Sequence, residues 1–189
     1  MKLISTPIED LFVLERSVYQ DERGHFTRLF ANEAMAAIGR PTEAIHVNTS
    51  TSVETGTLRG IHFQYPPFSE TKIVACTAGA IWDVGVDLRP NSKTKFQWFG
   101  QKLTPTNGLS MVIPEGFGHA FITLEPNSTA VYVVSAVYAL DHESGLRFDD
   151  PSINISWPIK PTVLSDKDKS WDLLAGRLSD LDARFKDIK

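Results

Sequence analysis

Short apolar and β-branched runs, each cut by turn residues, set the limits on this fold. They occupy residues 11–19, 25–30, 44–50, 57–64, 72–77, 80–88, 96–103, 109–113, 119–124 and 129–138. Between them stand Glu22-Arg23-Gly24, Pro66-Pro67, Ala78-Gly79, Arg89-Pro90-Asn91 and Asn107-Gly108. These residues bend the chain or stop a strand ladder. About ten strands this closely spaced leave no room for a helix between each pair, which excludes a doubly wound α/β sheet. The pattern predicts an all-β antiparallel sandwich or jelly roll, with short peripheral helices. One helix is expected from Asn32 to Ala37, stopped by Gly39. A second is expected near the C-terminus, over about 171–186, where Leu174, Leu178, Leu181 and Phe185 recur at spacings of three and four. It would pack on the outside of the sandwich or on a partner subunit.

The chain has 189 residues, against a prior of roughly 150 per domain, and no repeat or linker interrupts it. One domain over 1–189 is expected. The net charge of −4 argues against a general nucleic-acid or anionic-membrane surface. A lone cysteine, Cys76, excludes an intrachain disulfide, and its apolar neighbours mark it as packing. No apolar run is long enough for a membrane span. Glu9 and Asp10 interrupt the N-terminus before a secretory signal forms, so the expected location is the cytoplasm.

Several residues are candidates for chemistry. His62 stands inside an apolar strand, where an imidazole needs partners. It reads as a satisfied core histidine, a general base, or a metal ligand with Glu70 and His119. The second imidazole of a His-x-His ligand pair is missing from His62-Phe63-Gln64. Lys72 begins a strand and either faces solvent or holds an anion. Tyr132 is a core tyrosine or a phenolic acid. Ser165-x-x-Asp168 resembles a helix-capping box. His119, after Gly116 and Gly118, is a turn residue or a site residue. Arg23 is a turn arginine whose planar fork also suits phosphate. Regular alternation places Tyr132 and Tyr138 on one face. It places Arg59 and His62 on opposite faces, unless a bulge intervenes at Gly60.

Taken together, DERGHFTRLF (21–30), GTLRGIHFQYPP (56–67), KIVACTAGAIWDVGVDLRPNSKT (72–94), IPEGFGHAFITL (113–124), VYVVSAVY (131–138) and INISWPIKPTVLSDKD (153–168) resemble the dTDP-4-dehydrorhamnose 3,5-epimerase family, in that family's order and spacing. The resemblance implies a cupin-like jelly roll (double-stranded β-helix) acting as a homodimer without metal or redox cofactor. The substrate would be a nucleotide-diphosphate 4-keto-6-deoxy sugar, inverted at C3 and C5. It implies His62 as base, Tyr132 as acid on the opposite sugar face, Asp168 as the partner of His62, and Lys72 at the C4 oxygen. His119 would lie beside the sugar. Arg23, Phe26, Asn48, Arg59, Gln64, Tyr138, Glu143 and Lys167 would bind the nucleotide diphosphate or sugar. Arg28 and His46 depart from the family's usual acidic residue and glutamine, which bears on nucleotide choice. A single-centre epimerase, one using another nucleotide, a metal-dependent cupin enzyme and a non-catalytic sugar-binding jelly roll are the competing readings.

Overall fold

The computed structural model describes residues 1–32 and 43–188. The strands are β1 (Lys2–Ser5), β2 (Phe12–Glu15), β3 (Val18–Asp21), β4 (Gly24–Thr27), β5 (His46–Ser52), β6 (Leu58–Gln64) and β7 (Lys72–Ala78). They continue as β8 (Ile81–Asp87), β9 (Trp98–Leu103), β10 (Leu109–Ile113), β11 (Phe117–Thr123), β12 (Ser128–Val134) and β13 (Glu143–Gly145). A six-stranded sheet runs β1-β2-β10-β7-β12-β5 and a five-stranded sheet runs β13-β6-β11-β8-β9, with β3-β4 as a separate hairpin. Every pairing within these sheets is antiparallel. The expected all-β jelly roll is the architecture found.

Most of the strands lie where the runs place them. The run at 11–19 divides into β2 and β3, because the hairpin leaves the sheet after Glu15. β1 and β13 were not among the expected strands; each is short and held mainly by its neighbour. The expected 32–37 helix lies largely outside the described residues.

Two faces of the five-stranded sheet carry different burdens. Its inner face packs on the six-stranded sheet: Ile81, Leu103, Phe117 and Phe121 meet Val74, Cys76, Met111, Ile113 and Ala130. Its outer face is covered by the C-terminal segment. There Ile61, Phe63, Val84, Val86 and Ala120 pack with Leu146, Ile153, Leu174, Leu181 and Phe185. A sheet buried on both faces reads as continuous apolar sequence, which is why all of β11 is buried.

The C-terminal helix is shorter than its leucine spacing predicts. A five-residue helix α1 spans Asp166–Ser170, a 3₁₀ turn spans Leu174–Gly176, and helix α2 spans Leu178–Phe185. Trp171 is extended instead, and the buried Asp150 carboxylate accepts the N–H of Leu174 at 2.5 Å. Leu181 and Phe185, one turn apart, are fully buried, while Leu178 is exposed. Phe185 sits 5.2 Å from the ring of Tyr65 and 5.7 Å from that of Phe63. The helix thus covers this chain's own sandwich.

Gly60 supplies the bulge that the alternation required. Across β6 and β11, His62 pairs with His119 and Arg59 with Phe121. Two residues, Gly60 and Ile61, therefore oppose Ala120 alone. Gly60 has φ +121°, and a Cβ there would stand 2.5 Å from the Ala120 Cβ and 2.6 Å from the His119 carbonyl oxygen. Gly60→Ala should cost about 2–4 kcal/mol, from backbone strain plus overpacking. Phe185→Ala should cost about 3–5 kcal/mol, as a cavity against the second sheet. Both are read as a lower urea midpoint at unchanged slope.

Candidate active site

Toward one end of the sandwich the inner faces stop packing on each other and become polar. Lys72 precedes Val74 and Cys76 on the inner side of β7, and Tyr132 follows Ala130 on β12. Opposite them, β6 and β11 present His62 and His119 as register partners. Between the sheets lies a cleft of about 480 Å³, lined among others by Arg59, His62, Lys72, His119, Tyr132, Lys167 and Asp168. A hollow of about 290 Å³ shares His62, Lys72 and Tyr132 with it and continues past His46, Asn48, Gln64, Glu70, Tyr138 and Glu143. The bulge at Gly60 lets Arg59 and His62 face the same cleft.

A strap brings the carboxylate. Thr57 bridges Val163, and the Leu58 N–H donates to the Val163 carbonyl at 2.9 Å. The Ser165 hydroxyl caps α1 by accepting the Asp168 N–H at 3.0 Å, so the capping reading is correct for the backbone. The Asp168 side chain, 3% exposed, turns to His62 Nε2 at 2.5 Å. Burial pushes this carboxyl up, but the hydrogen bond and charge of His62, with bonds from Ser165 and the Gly60 backbone, outweigh it. The group is held below the usual carboxylate range. Trp171 meets the His62 ring edge-on at 6.4 Å and packs against Gly145.

A second imidazole–carboxylate pair stands beside the first: His119 Nε2 lies 2.7 Å from Asp83 Oδ1, with Asp83 fully buried. Asp83 was not among the expected site residues. Its signal was present: an acid inside the apolar run IWDVGVD must have a partner. Lys72 is not a solvated strand end. Its Nζ lies 2.6 Å from Glu70 Oε1, with the two side chains 14% and 11% exposed, and 5.9 Å from the Tyr132 ring centroid. Lys167 reaches from α1 to Glu143 at 2.6 Å, and the Tyr138 hydroxyl donates to the same oxygen of Glu143 at 2.6 Å. Burial raises the Glu143 carboxyl, and Lys167, Tyr138 and the charge of His62 pull it below its ordinary value. Tyr132 and Tyr138 border one hollow, although β12 ends at Val134.

Other expected residues have different duties. Gln64 organises loops, donating to the carbonyls of Phe68 and Val137 and accepting from the Ala139 N–H. Arg59 lines the cleft and donates to the Ser52 hydroxyl at 3.2 Å. Arg23 and Phe26 do not line the cleft of their own chain. Both sit on the exposed β3-β4 hairpin, where Arg23 pairs with Asp21 at 2.5 Å. Arg28 is exposed, whereas His46 borders the hollow. A His62–Glu70–His119 metal set does not assemble, since Glu70 turns to Lys72 and His119 to Asp83. Among the described residues no three His, Cys, Asp or Glu side chains form a metal-holding group. Burial pushes the Cys76 thiol up to about 11, as expected of a packing cysteine.

The family model described as dTDP-4-dehydrorhamnose 3,5-epimerase matches residues 5–176. A dTDP-4-dehydrorhamnose 3,5-epimerase of Shigella flexneri is 40% identical over 89% of this chain and 93% of its own. The crystal structure of dTDP-4-dehydrorhamnose 3,5-epimerase from Bacillus anthracis strain Ames, with TDP and PPi bound, superposes with a TM-score of 0.86. It is 39% identical and covers 92% of this chain and 99% of its own. A dTDP-4-dehydrorhamnose 3-epimerase of Streptomyces niveus is 36% identical over 93% of this chain and 84% of its own. With fold and sequence matching over nearly the whole length, the chain belongs to the dTDP-4-dehydrorhamnose 3,5-epimerase family.

Proposed function

We propose that this chain inverts both C3 and C5 of a dTDP-4-keto-6-deoxyhexose, converting dTDP-4-dehydro-6-deoxyglucose to dTDP-4-dehydrorhamnose. One observation carries the reading: a carboxylate-held histidine and a tyrosine, from opposite sheets, border one cleft together with a half-dry lysine. A proton α to a ketone is too weakly acidic for imidazole alone. It becomes removable when the developing C4 oxyanion meets a fixed cation in a water-poor site. Lys72 is that cation.

His62 donates its Nε2–H to Asp168 and so presents Nδ1 as the base. It takes the C–H proton, the electron pair moves to the C4 oxygen, and Asp168 balances the imidazolium that forms. Inversion needs a proton from the other face, because return from His62 restores the starting centre. Tyr132 gives that proton, carbon is reprotonated, and the C4 carbonyl reforms. The tyrosine is then reprotonated from solvent and His62 gives up its proton to solvent, which resets the site for the second carbon. His119, fixed by Asp83, lies next to His62 at the sugar. Arg59 and Lys167 supply positive charge for the diphosphate, with Asn48, Gln64, Tyr138 and Glu143 around the adjoining hollow.

The proposed assembly is a homodimer, and the position of the hairpin supports that reading. Arg23 and Phe26 serve the substrate only if a second copy sets its β3-β4 hairpin at this cleft. Cytoplasmic location accords with a nucleotide-sugar substrate and a single, buried cysteine. No helix among the described residues is long and apolar enough to cross a membrane. The second reading is a single-centre epimerase, favoured by the Streptomyces niveus relative and by His46 at the hollow.

Proton NMR in D₂O with dTDP-4-keto-6-deoxyglucose separates these readings. Loss of both the C3 and C5 signals is expected. Loss of one selects the single-centre reading, and loss of neither, here or with other nucleotide sugars, overturns both. His62→Ala should abolish exchange at both carbons in a folded protein. Tyr132→Phe should exchange without inverting one or both; full activity in that variant would remove Tyr132 as the acid. Lys72→Ala should slow exchange by about 10²–10³. Because the Asp168 carboxyl is held below its unfolded value, its stabilising contribution is complete above about pH 4 and is lost as pH falls further. The stability gap between wild type and Asp168→Asn should therefore narrow as pH falls below about 4, as followed by urea unfolding.

A further inference from the structure

Lysine has a long flexible stem and one mobile charge, so an oxyanion partner of this type works only if something fixes it. Lys72 Nζ lies 2.6 Å from Glu70 Oε1, and with the side chains 14% and 11% exposed the pair is weakly screened. Glu70 is itself anchored on both sides. The Ser69 hydroxyl donates to the Gln64 carbonyl at 3.1 Å. The Thr71 N–H donates to the Ser135 hydroxyl at 2.8 Å, and the Ser135 N–H returns to the Thr71 carbonyl at 3.1 Å. Ser69 and Thr71 are 7% and 3% exposed, so this backbone is held inside the fold.

We infer that Glu70 is a positioning residue for the epimerisation: its carboxylate fixes the Lys72 ammonium beside Tyr132, where the C4 oxygen develops charge. The inference rests on the epimerase reading of the cleft. Glu70 takes one of three N–H donors and leaves the others for the enolate oxygen. Without that anchor the ammonium spreads over several positions, and much of its effect on the transition state is lost while substrate still binds.

The test is Glu70→Gln, alone and in the Lys72→Ala background, with C3 and C5 exchange measured in D₂O. Alone, Glu70→Gln should lower kcat by about tenfold and leave KM within about twofold. In the Lys72→Ala background it should cost nothing more, because the two residues act as one unit. An unchanged or raised kcat, a loss confined to KM, or the same loss in both backgrounds overturns the proposal. Should Glu70→Gln fail to fold, Glu70→Asp keeps the charge, withdraws it by one methylene, and is read in the same two backgrounds. A crystal structure of the variant gives a readout independent of turnover: Lys72 Nζ should leave its wild-type place, and its staying there overturns the proposal. A wild type that exchanges neither proton defeats the epimerase reading instead, and the position of Nζ still decides whether Glu70 holds it.

Discussion

The five-stranded sheet must satisfy two apolar surfaces and still present charged groups, and the rest of the structure follows from that demand. Its outer positions, Ile61, Phe63, Val84 and Val86, are covered by the C-terminal segment. Its inner positions divide along the strand axis between core and chemistry. Asp83 follows Ile81 on the inner side of β8, and His119 lies between Phe117 and Phe121 on β11. A strand with period two has no free position for Arg59 beside His62. The bulge at Gly60 resolves this by shifting the register once, and Ala120 sits in the space that a larger residue at 60 would need. The C-terminal strap is part of the same solution. It covers the outer face with Leu174, Leu181 and Phe185, and before reaching them it delivers Asp168 to His62.

Much of this was legible in the sequence, for identifiable reasons. Period-two patterning and turn residues depend on neighbours in the chain, so the strands from β5 to β12 stand close to where the runs place them. The Gly60 bulge was legible because alternation and a glycine made one conditional statement. The Ser165–Asp168 turn was legible as a cap, and the structure adds that backbone and side chain of Asp168 do separate jobs. What was not legible depends on distant partners. His119 meets Asp83 across 36 positions in the chain; the apolar run around Asp83 shows that it needs a partner, but nothing local shows which. β13 exists because β6 offers it an edge. The leucine spacing predicts one long helix, but the Asp150 carboxylate and the packing of Trp171 turn the chain first. The expected binding residues on the hairpin, Arg23 and Phe26, carry a motif signal without a spatial one, because they lie away from the cleft of their own chain.

In the proposed mechanism, the placement of the cleft is what lets weak bases and acids serve a difficult proton transfer. The wall behind Lys72 and Tyr132 is the hydrophobic core itself, since Val74, Cys76 and Ala130 are their inner-face neighbours and are buried. Such a wall supplies no competing water, and it makes every charge in front of it act more strongly. It also makes an unpaired charge costly. The structure meets much of that cost with four pairs: His62 with Asp168, His119 with Asp83, Lys72 with Glu70, and Lys167 with Glu143. These pairs fix positions as well as charges. In the proposed reaction a substrate entering the cleft would find donors already aimed, so that the reorganisation water would need is completed by folding.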